Sequence, residues 1–446
     1  MSTHRTPAAG AGERAPSEAA RPLPVVEDGV VQRSVCMNCG SAHLHEFLDL
    51  GDQPNGNSFP TAETKAKELT FPFAMLVCDE CWQVQLKEFP SPELLFSDHP
   101  YVTGLNVPIV RHFEQLAGRL TASLELAPQS LVIDIGCNDG TLLRKFAEQG
   151  MRVLGVDPAK RTGELAREAG ITVCRAFWGR EAGRSLARLG LEPDLITATA
   201  VFYHVPDLHD FLEGLKAVMT ADTVFVIQCV SLLDVIQKNQ FDHFYLEHSC
   251  IHSVGSLTRL FEAHGMHMID VDLIDVHGGS FLAQIVLDSS PRTTSPSVRR
   301  AIDLEAEAGL FELETYRAFA RRVERNRTGL VDLLTRLAKD GKRVFALGAP
   351  VKGSTLLNYC GITTDLVQCA SEVNDFKIGR LTPGTHLPIV DEAKLEEQPD
   401  YYLLLSWNFL DYFLDTYRPY LEGGGKFIVP VPEVRIIGGN GEEPIV

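Results

Sequence analysis

The stretch Leu131-Val132-Ile133-Asp134-Ile135-Gly136-Cys137-Asn138-Asp139-Gly140-Thr141-Leu142-Leu143-Arg144-Lys145 decides the fold. Apolar, largely β-branched residues run into Gly136, a second glycine follows at Gly140, and the chain then takes a helical pattern. That order predicts a strand, a tight turn and a helix start. Glycine lets the backbone approach a ligand closely, and the free N–H groups of a helix start can face it. A nucleotide-like ligand therefore fits here. The phosphate-binding pattern GxGxxG would carry a glycine where Asn138 stands, which argues against a dinucleotide.

Asp157 closes the next strand, VLGVD, and puts a second acid beside the turn. Together Asp134, Gly136, Asn138, Gly140 and Asp157 resemble the S-adenosylmethionine site of class I methyltransferases, a geometry shared by other doubly wound nucleotide folds. The resemblance implies that the glycine turn lines the methionine end and that Asp157 accepts hydrogen bonds from the ribose hydroxyls. A helix before the first strand, with Ile109, Phe113, Leu116 and Leu120 at helical spacing, would cover the cofactor in such an enzyme, bringing Tyr101 toward it. Downstream, strands and helices alternate as far as the fifth strand, DTVFVIQCV, which predicts a parallel sheet covered on both faces. Phe177 or Trp178, after the third strand, would border the adenine. Two further strands flank a Gly278-Gly279 turn and would end the sheet as an antiparallel pair.

A chain of 446 residues exceeds what one core usually supports. Its 45% hydrophobic and 22% charged residues are those of a soluble globular protein. A net charge of -18 argues against nucleic-acid partners, which need clustered Lys and Arg. No apolar run reaches the ~20 residues needed to span a bilayer. The Ala-, Pro- and Arg-rich start lacks an apolar signal core and reads as a disordered leader over 1–30, consistent with a cytoplasmic protein.

Four of the ten cysteines explain themselves by spacing. Cys36-Met37-Asn38-Cys39 and Cys78-Asp79-Glu80-Cys81 are two CxxC knuckles that can close a tetrahedral shell around zinc. Four thiolates leave no open coordination position, so the zinc is read as structural. A segment of about 70 residues gains folding energy from such a metal. His43 and His45 read as solvent-facing strand residues. Cys137, Cys174, Cys229, Cys250, Cys360 and Cys369 read as buried reduced thiols.

Chemistry belongs at the carboxyl ends of the strands. Two clusters fall there: Tyr203-His204-Val205-Pro206-Asp207 after the fourth strand, and FDHFYLEH, residues 241–248, after the fifth. An imidazole near neutrality can serve as a base, and a tyrosine can donate to an oxyanion. Beyond a helix-prone segment with Leu310, Phe311, Leu313, Tyr316, Leu330, Leu333, Leu334 and Leu337 in apolar stripes, KRVFALG begins a second α/β unit. Its turn, GAPVKGST, is not a Walker loop, because Lys352 precedes Gly353. It could still bind a pyrophosphate with the help of Lys352.

The order CxxC…CxxC, DIGCNDGTLL, YHVPDLHDF, YLEH, HGGSF, GAPVKGSTLLNYCGI, FKIGRLTPGTHLPI and PDYYLLLSWNF resembles the nucleotide-sugar C-methyltransferases of deoxysugar biosynthesis, over nearly all the chain. The resemblance implies a class I methyltransferase doubly wound α/β sheet flanked by a small N-terminal zinc-binding domain and a C-terminal Rossmann-like domain. The expected division is zinc-binding domain 31–100, methyltransferase domain 101–290, helical linker 291–340 and Rossmann-like domain 341–446. The implied reaction is methylation of the carbon α to the keto group of a dTDP-linked 4-keto-6-deoxyhexose, C-3 before C-5. His248 would be the base, Tyr245 and His204 would assist at the carbonyl, and Glu247 lies in the same motif. Lys352, Asn374 and Lys377 would meet the nucleotide diphosphate. The family's YHEH reads Tyr245-Leu246-Glu247-His248 here, and Phe202-Tyr203 replaces a smaller pair beside the sugar. A monomer is expected. The other readings are a methyltransferase for another ketone or amine and a non-catalytic zinc-ribbon scaffold.

Overall fold

The computed structural model describes residues 25–26, 29–97 and 101–444. Residues 1–24, most of the predicted leader, lie outside the described residues. The end of that stretch departs from the expectation: Val25–Val26 pairs antiparallel with Val30–Gln32, which in turn pairs with Glu88–Pro90.

The central sheet has seven strands. Their order is Met266–Ile274, Ser280–Leu287, Val224–Val230, Leu195–Thr199, Leu131–Ile135, Arg152–Val156 and Val173–Cys174. The last five run parallel and the first two are the antiparallel pair expected around Gly278-Gly279. Leu131–Ile135 and Val224–Val230 are buried along their whole length, because helices cover both faces of the parallel part. On one face, the helices Arg180–Arg188 and Leu208–Val218 meet at glycines. A Cβ on Gly183 would overlap the Gly214 backbone, and one on Gly214 would overlap that of Gly179.

The N-terminal module is an antiparallel sheet ordered Cys250–Ile251, Val84–Leu86, Thr70–Cys78, Leu44–Pro54. Its outermost strand is contributed by the chain immediately after the YLEH segment. The sequence offers no sign of this pairing, since a two-residue strand carries no readable period. The four cysteine sulfurs of the two knuckles lie within 4.8 Å of one another. Cys36 Sγ is 3.5 Å from Cys81 Sγ and Cys39 Sγ is 3.6 Å from Cys78 Sγ. Four soft donors converging on one point from two turns suit a tetrahedral zinc ion. Of the other six cysteines, five are buried and Cys174 is exposed.

Helix Leu313–Lys339 buries Tyr316, Phe319, Val323, Leu330, Leu333, Leu334 and Leu337. Its Tyr316 stacks on Trp82 at 6.4 Å and meets Phe47 at 5.2 Å, so this helix also braces the metal module. The C-terminal sheet is ordered Ile389–Asp391, Ala370–Glu372, Val344–Leu347, Tyr401–Leu404, Lys426–Val429, Arg435–Gly438, Gly441–Glu443. Its first five strands are parallel and its last two antiparallel. Among the described residues no helix is long and apolar enough to cross a membrane.

Gly183→Val is expected to force the two helices apart and destabilise the protein by about 1–3 kcal/mol, read as a lower thermal midpoint. Cys78→Ser is expected to abolish the stoichiometric metal that atomic emission should find in the wild-type chain. It should also open residues 36–96 to proteolysis, because metal binding and folding of such a module are one process.

Candidate active site

One cavity of about 660 Å³ runs from the glycine turn of the central sheet to the C-terminal unit. Its first end is built on backbone strain. Gly136, Asn138 and Gly140 all take the left-handed conformation, with φ of 72°, 51° and 74°. A side chain on Gly136 would also overlap Val201. Asp157, on the next strand's end, accepts the Asn138 N–H at 2.8 Å through Oδ2 and the Ala159 N–H at 2.9 Å through Oδ1. The carboxylate is thereby fixed at the cavity wall.

Asn138 does more than replace a glycine. Its Oδ1 accepts the Thr103 N–H at 3.0 Å and its Nδ2 donates to the Tyr101 carbonyl at 3.0 Å. Asp139 Oδ2 accepts the Gly104 N–H at 2.8 Å. The turn thus clamps the segment that leads into helix Val107–Ser123, whose N-cap is Asn106. Tyr101, Phe177 and Trp178 all line the cavity, with Tyr101 42% and Phe177 39% exposed at its mouth.

Asp134 and Gly140 do not line the cavity. Asp134 is buried beneath the turn, accepts the Thr197 hydroxyl at 2.6 Å, and is pushed up to about 7 by burial, against the pull of that hydrogen bond. Asp134 supports the turn from inside the sheet, and Gly140 caps the helix Thr141–Ala147 that follows it, packed against Ile171 and Ala166.

The second end gathers the residues of the two polar clusters. Phe202–His204 is a short 3-10 turn after the strand Leu195–Thr199, and Phe241–His243 is another after the helix Leu232–Gln237 that follows the adjacent strand. His248 is only 1% exposed, with its ring 3.8 Å from that of Tyr245, 4.4 Å from Tyr203 and 5.1 Å from His204. His204 Nδ1 donates to the Glu247 carbonyl at 2.7 Å. Glu247 Oε1 accepts from Asn57 Nδ2 at 2.7 Å. Neither nitrogen of His248 has a hydrogen-bond partner among the described residues. Leaving a buried polar group unpaired costs about 1–3 kcal/mol, a cost met where the group is held for a ligand. Burial, and then the neighbouring imidazoles of His204 and His243, hold the His248 pKa well below its ordinary value, so the ring is neutral. Burial drives the Tyr245 phenol well above its own, so it remains a hydrogen-bond donor.

The C-terminal unit closes this end. Lys352 Nζ donates to Asn408 Oδ1 at 2.6 Å, sits 4.2 Å above the Trp407 ring and lies 3.9 Å from Asp242 Oδ2. Trp407 Nε1 donates to the same carboxylate oxygen at 2.6 Å. Lys377 Nζ donates to the Ala349 carbonyl at 3.0 Å and lies 3.4 Å from Glu372. Both lysines line the cavity, but each already has an internal counter-charge. Asn374 does not line it; its Oδ1 accepts the Phe376 N–H at 3.0 Å. His243, His277, Gln228 and Asn57 line the cavity without having been singled out in the sequence. The first two stand inside quoted motifs, FDHFYLEH and HGGSF. Nothing local marks Asn57.

Comparison with known proteins agrees with this layout. Residues 36–96 match a family model described as "Putative zinc binding domain", 110–271 a "Methyltransferase domain" and 275–432 a "C-methyltransferase C-terminal domain". The first encloses all four knuckle cysteines, whose geometry suits the metal. C-methyltransferase NovU of Streptomyces niveus is 35% identical over 91% of this chain and 97% of its own length. A ubiquinone biosynthesis O-methyltransferase of Azorhizobium caulinodans is 28% identical over 28% of this chain and 47% of its own. Among solved structures, magnesium protoporphyrin IX methyltransferase from Synechocystis PCC 6803 with bound S-adenosylmethionine is 17% identical, with a TM-score of 0.31, over 40% of this chain and 79% of that one. With its cavity floored by the strained glycine turn and the fixed Asp157 carboxylate, the chain belongs to the C-methyltransferase family that includes NovU and uses S-adenosylmethionine as its cofactor.

Proposed function

We propose that the protein methylates the carbon α to the keto group of a dTDP-4-keto-6-deoxysugar, C-3 in preference to C-5. The observation that carries this reading is His248: a buried, neutral imidazole with both nitrogens free, at the far end of the cavity from the cofactor turn. S-adenosylmethionine supplies an electrophilic methyl group when bound. Metal chemistry is not called for at this end, because a ketone already acidifies its α-hydrogen by delocalising the charge as an enolate. In this reading His248 takes that proton, and the Tyr245 and His204 rings, packed around it, hold the carbonyl side of the sugar. Glu247 fixes the His204 tautomer through its own carbonyl.

The nucleotide diphosphate would extend toward Lys352 and Lys377 on the C-terminal unit. Because they are half-buried and paired with Asp242 and Glu372, they would offer a pre-positioned rather than a mobile positive charge. The division of labour follows the zinc-binding, methyltransferase, helical and Rossmann-like segments bounded at residues 31, 101, 291 and 341. A net charge of -18 favours a monomer by self-repulsion, and the enzyme is read as cytoplasmic.

The test is incubation of the purified protein with labelled S-adenosylmethionine and a panel of dTDP-4-keto sugars. His248→Asn is expected to lower kcat by about 10²- to 10⁴-fold. It should also abolish exchange of the α-hydrogen with solvent deuterium in the absence of the cofactor. The pH dependence has a defined sign. A base works only when neutral, so activity persists above its pKa and falls as pH drops through it. With that pKa held below 6.5, the acid limb of kcat/KM for the free enzyme should lie below pH 6.5. A limb at or above 6.5 would contradict the assignment.

A further inference from the structure

The loop NGNSFPT, residues 55–61, belongs to the metal module and is separated in sequence from both polar clusters of the active site. The fold nevertheless threads it between them and the C-terminal unit. Asn57 lines the same cavity as Glu247 and His248 and donates from Nδ2 to Glu247 Oε1 at 2.7 Å. Its own N–H donates to Asn55 Oδ1 at 3.0 Å, which sets the turn. Gly56 packs so closely on the helix Val351–Tyr359 that a Cβ there would come within 2.8 Å of Val351 Cγ2 and 2.9 Å of the Val351 carbonyl. Just beyond, the Phe59 and Pro60 carbonyls accept from Arg380 Nη1 at 3.1 Å and the Leu381 N–H at 2.9 Å. The loop is held on both sides of Asn57.

The partner segment is equally fixed. The His248 N–H donates to the Tyr245 carbonyl at 2.8 Å, and the Leu86 N–H of the metal module donates to the Ser249 carbonyl at 2.9 Å. Glu247 is therefore gripped at its carbonyl by His204 and at its carboxylate by Asn57, between the two imidazoles proposed to face the substrate.

We infer that Asn57 is a positioning residue supplied to the active site by the metal module. Its amide orients the buried Glu247 carboxylate and so holds the His204 and His248 rings in register. The inference rests on the reading of Glu247 and His248 as members of the reacting site. A buried carboxylate left without its donor is destabilised, and this donor cannot be replaced by water without opening the loop.

The experiment is a double-variant cycle in the full-length enzyme, with Asn57→Ala, Glu247→Gln and the pair, assayed by methyl transfer beside His248→Asn. Asn57→Ala is expected to lower kcat about tenfold to a hundredfold, the worth of a hydrogen bond to a charged group, with KM for S-adenosylmethionine unchanged. Adding it to Glu247→Gln should cost nothing further. Losses that multiply, or a wild-type kcat in Asn57→Ala, overturn the inference. Retained turnover in His248→Asn overturns the functional reading instead. Should Asn57→Ala melt early, the isosteric Asn57→Asp keeps the loop's shape. It should move the acid limb of the kcat profile upward, because an added negative charge beside the site raises the pKa of the groups around it. An unmoved profile counts against the proposal.

Discussion

The polar end of the cavity depends on a pairing of two short strands. Cys250–Ile251, directly after His248, hydrogen-bonds to Val84–Leu86 of the metal module, and Ile251 is further tied by Gln83, whose Nε2 donates to its carbonyl at 3.2 Å. Strand pairing fixes backbone position in a way that a surface loop cannot. The polar segment Tyr245 to His248 is consequently strung between the central sheet on one side and the metal module on the other. The zinc knuckles lie at one end of the strand Thr70–Cys78 that supports this pairing, since Cys78 is its last residue. The four-cysteine cluster therefore anchors the strand on which the position of this segment depends.

The cavity's electrostatics follow from the same enclosure. Burial pushes the imidazoles of His243 and His248 down, helped by Lys352 and His277 at the first and by His204 and His243 at the second, and His277 is lowered to about 4, so this end presents neutral rings rather than a cationic cluster. Positive charge is confined to Lys352 and Lys377, each held by a carboxylate of its surroundings. Lys352 joins the two α/β units directly, because Asp242 stands on the turn that leads to Tyr245 and His248 while Trp407 and Asn408 belong to the C-terminal unit. The C-terminal unit and the segment that leads to Tyr245 and His248 are thus joined through the Lys352–Asp242 contact.

Much of this was legible residue by residue. The strand, turn and helix at residues 131–147 follow from a β-branched run, two glycines and a helical period. The antiparallel pair around Gly278-Gly279 follows from alternating apolar residues about a glycine turn. The metal ligands follow from CxxC spacing alone, because two thiolates on one turn are a local arrangement. Asp134, Gly140 and Asn374 illustrate the converse. Each has the right chemistry at the right place in the chain, yet Asp134 lies inside the sheet, Gly140 caps a helix and Asn374 caps its own loop. Sequence order gives the strand end on which a residue stands, but not whether its side chain faces a ligand or the protein interior.

By itself the sequence determined the class of the fold, the metal site and the identity of the polar clusters at the strand ends, because those depend on periodicity and short-range spacing. Only the tertiary structure decided that Asn57 meets Glu247, that Lys352 meets Asp242, and that a strand of the central unit completes the sheet of the metal module. These contacts join residues 190, 110 and about 165 positions apart in the chain. At such separations no local pattern specifies a partner; the partner is fixed by how whole sheets and helices pack.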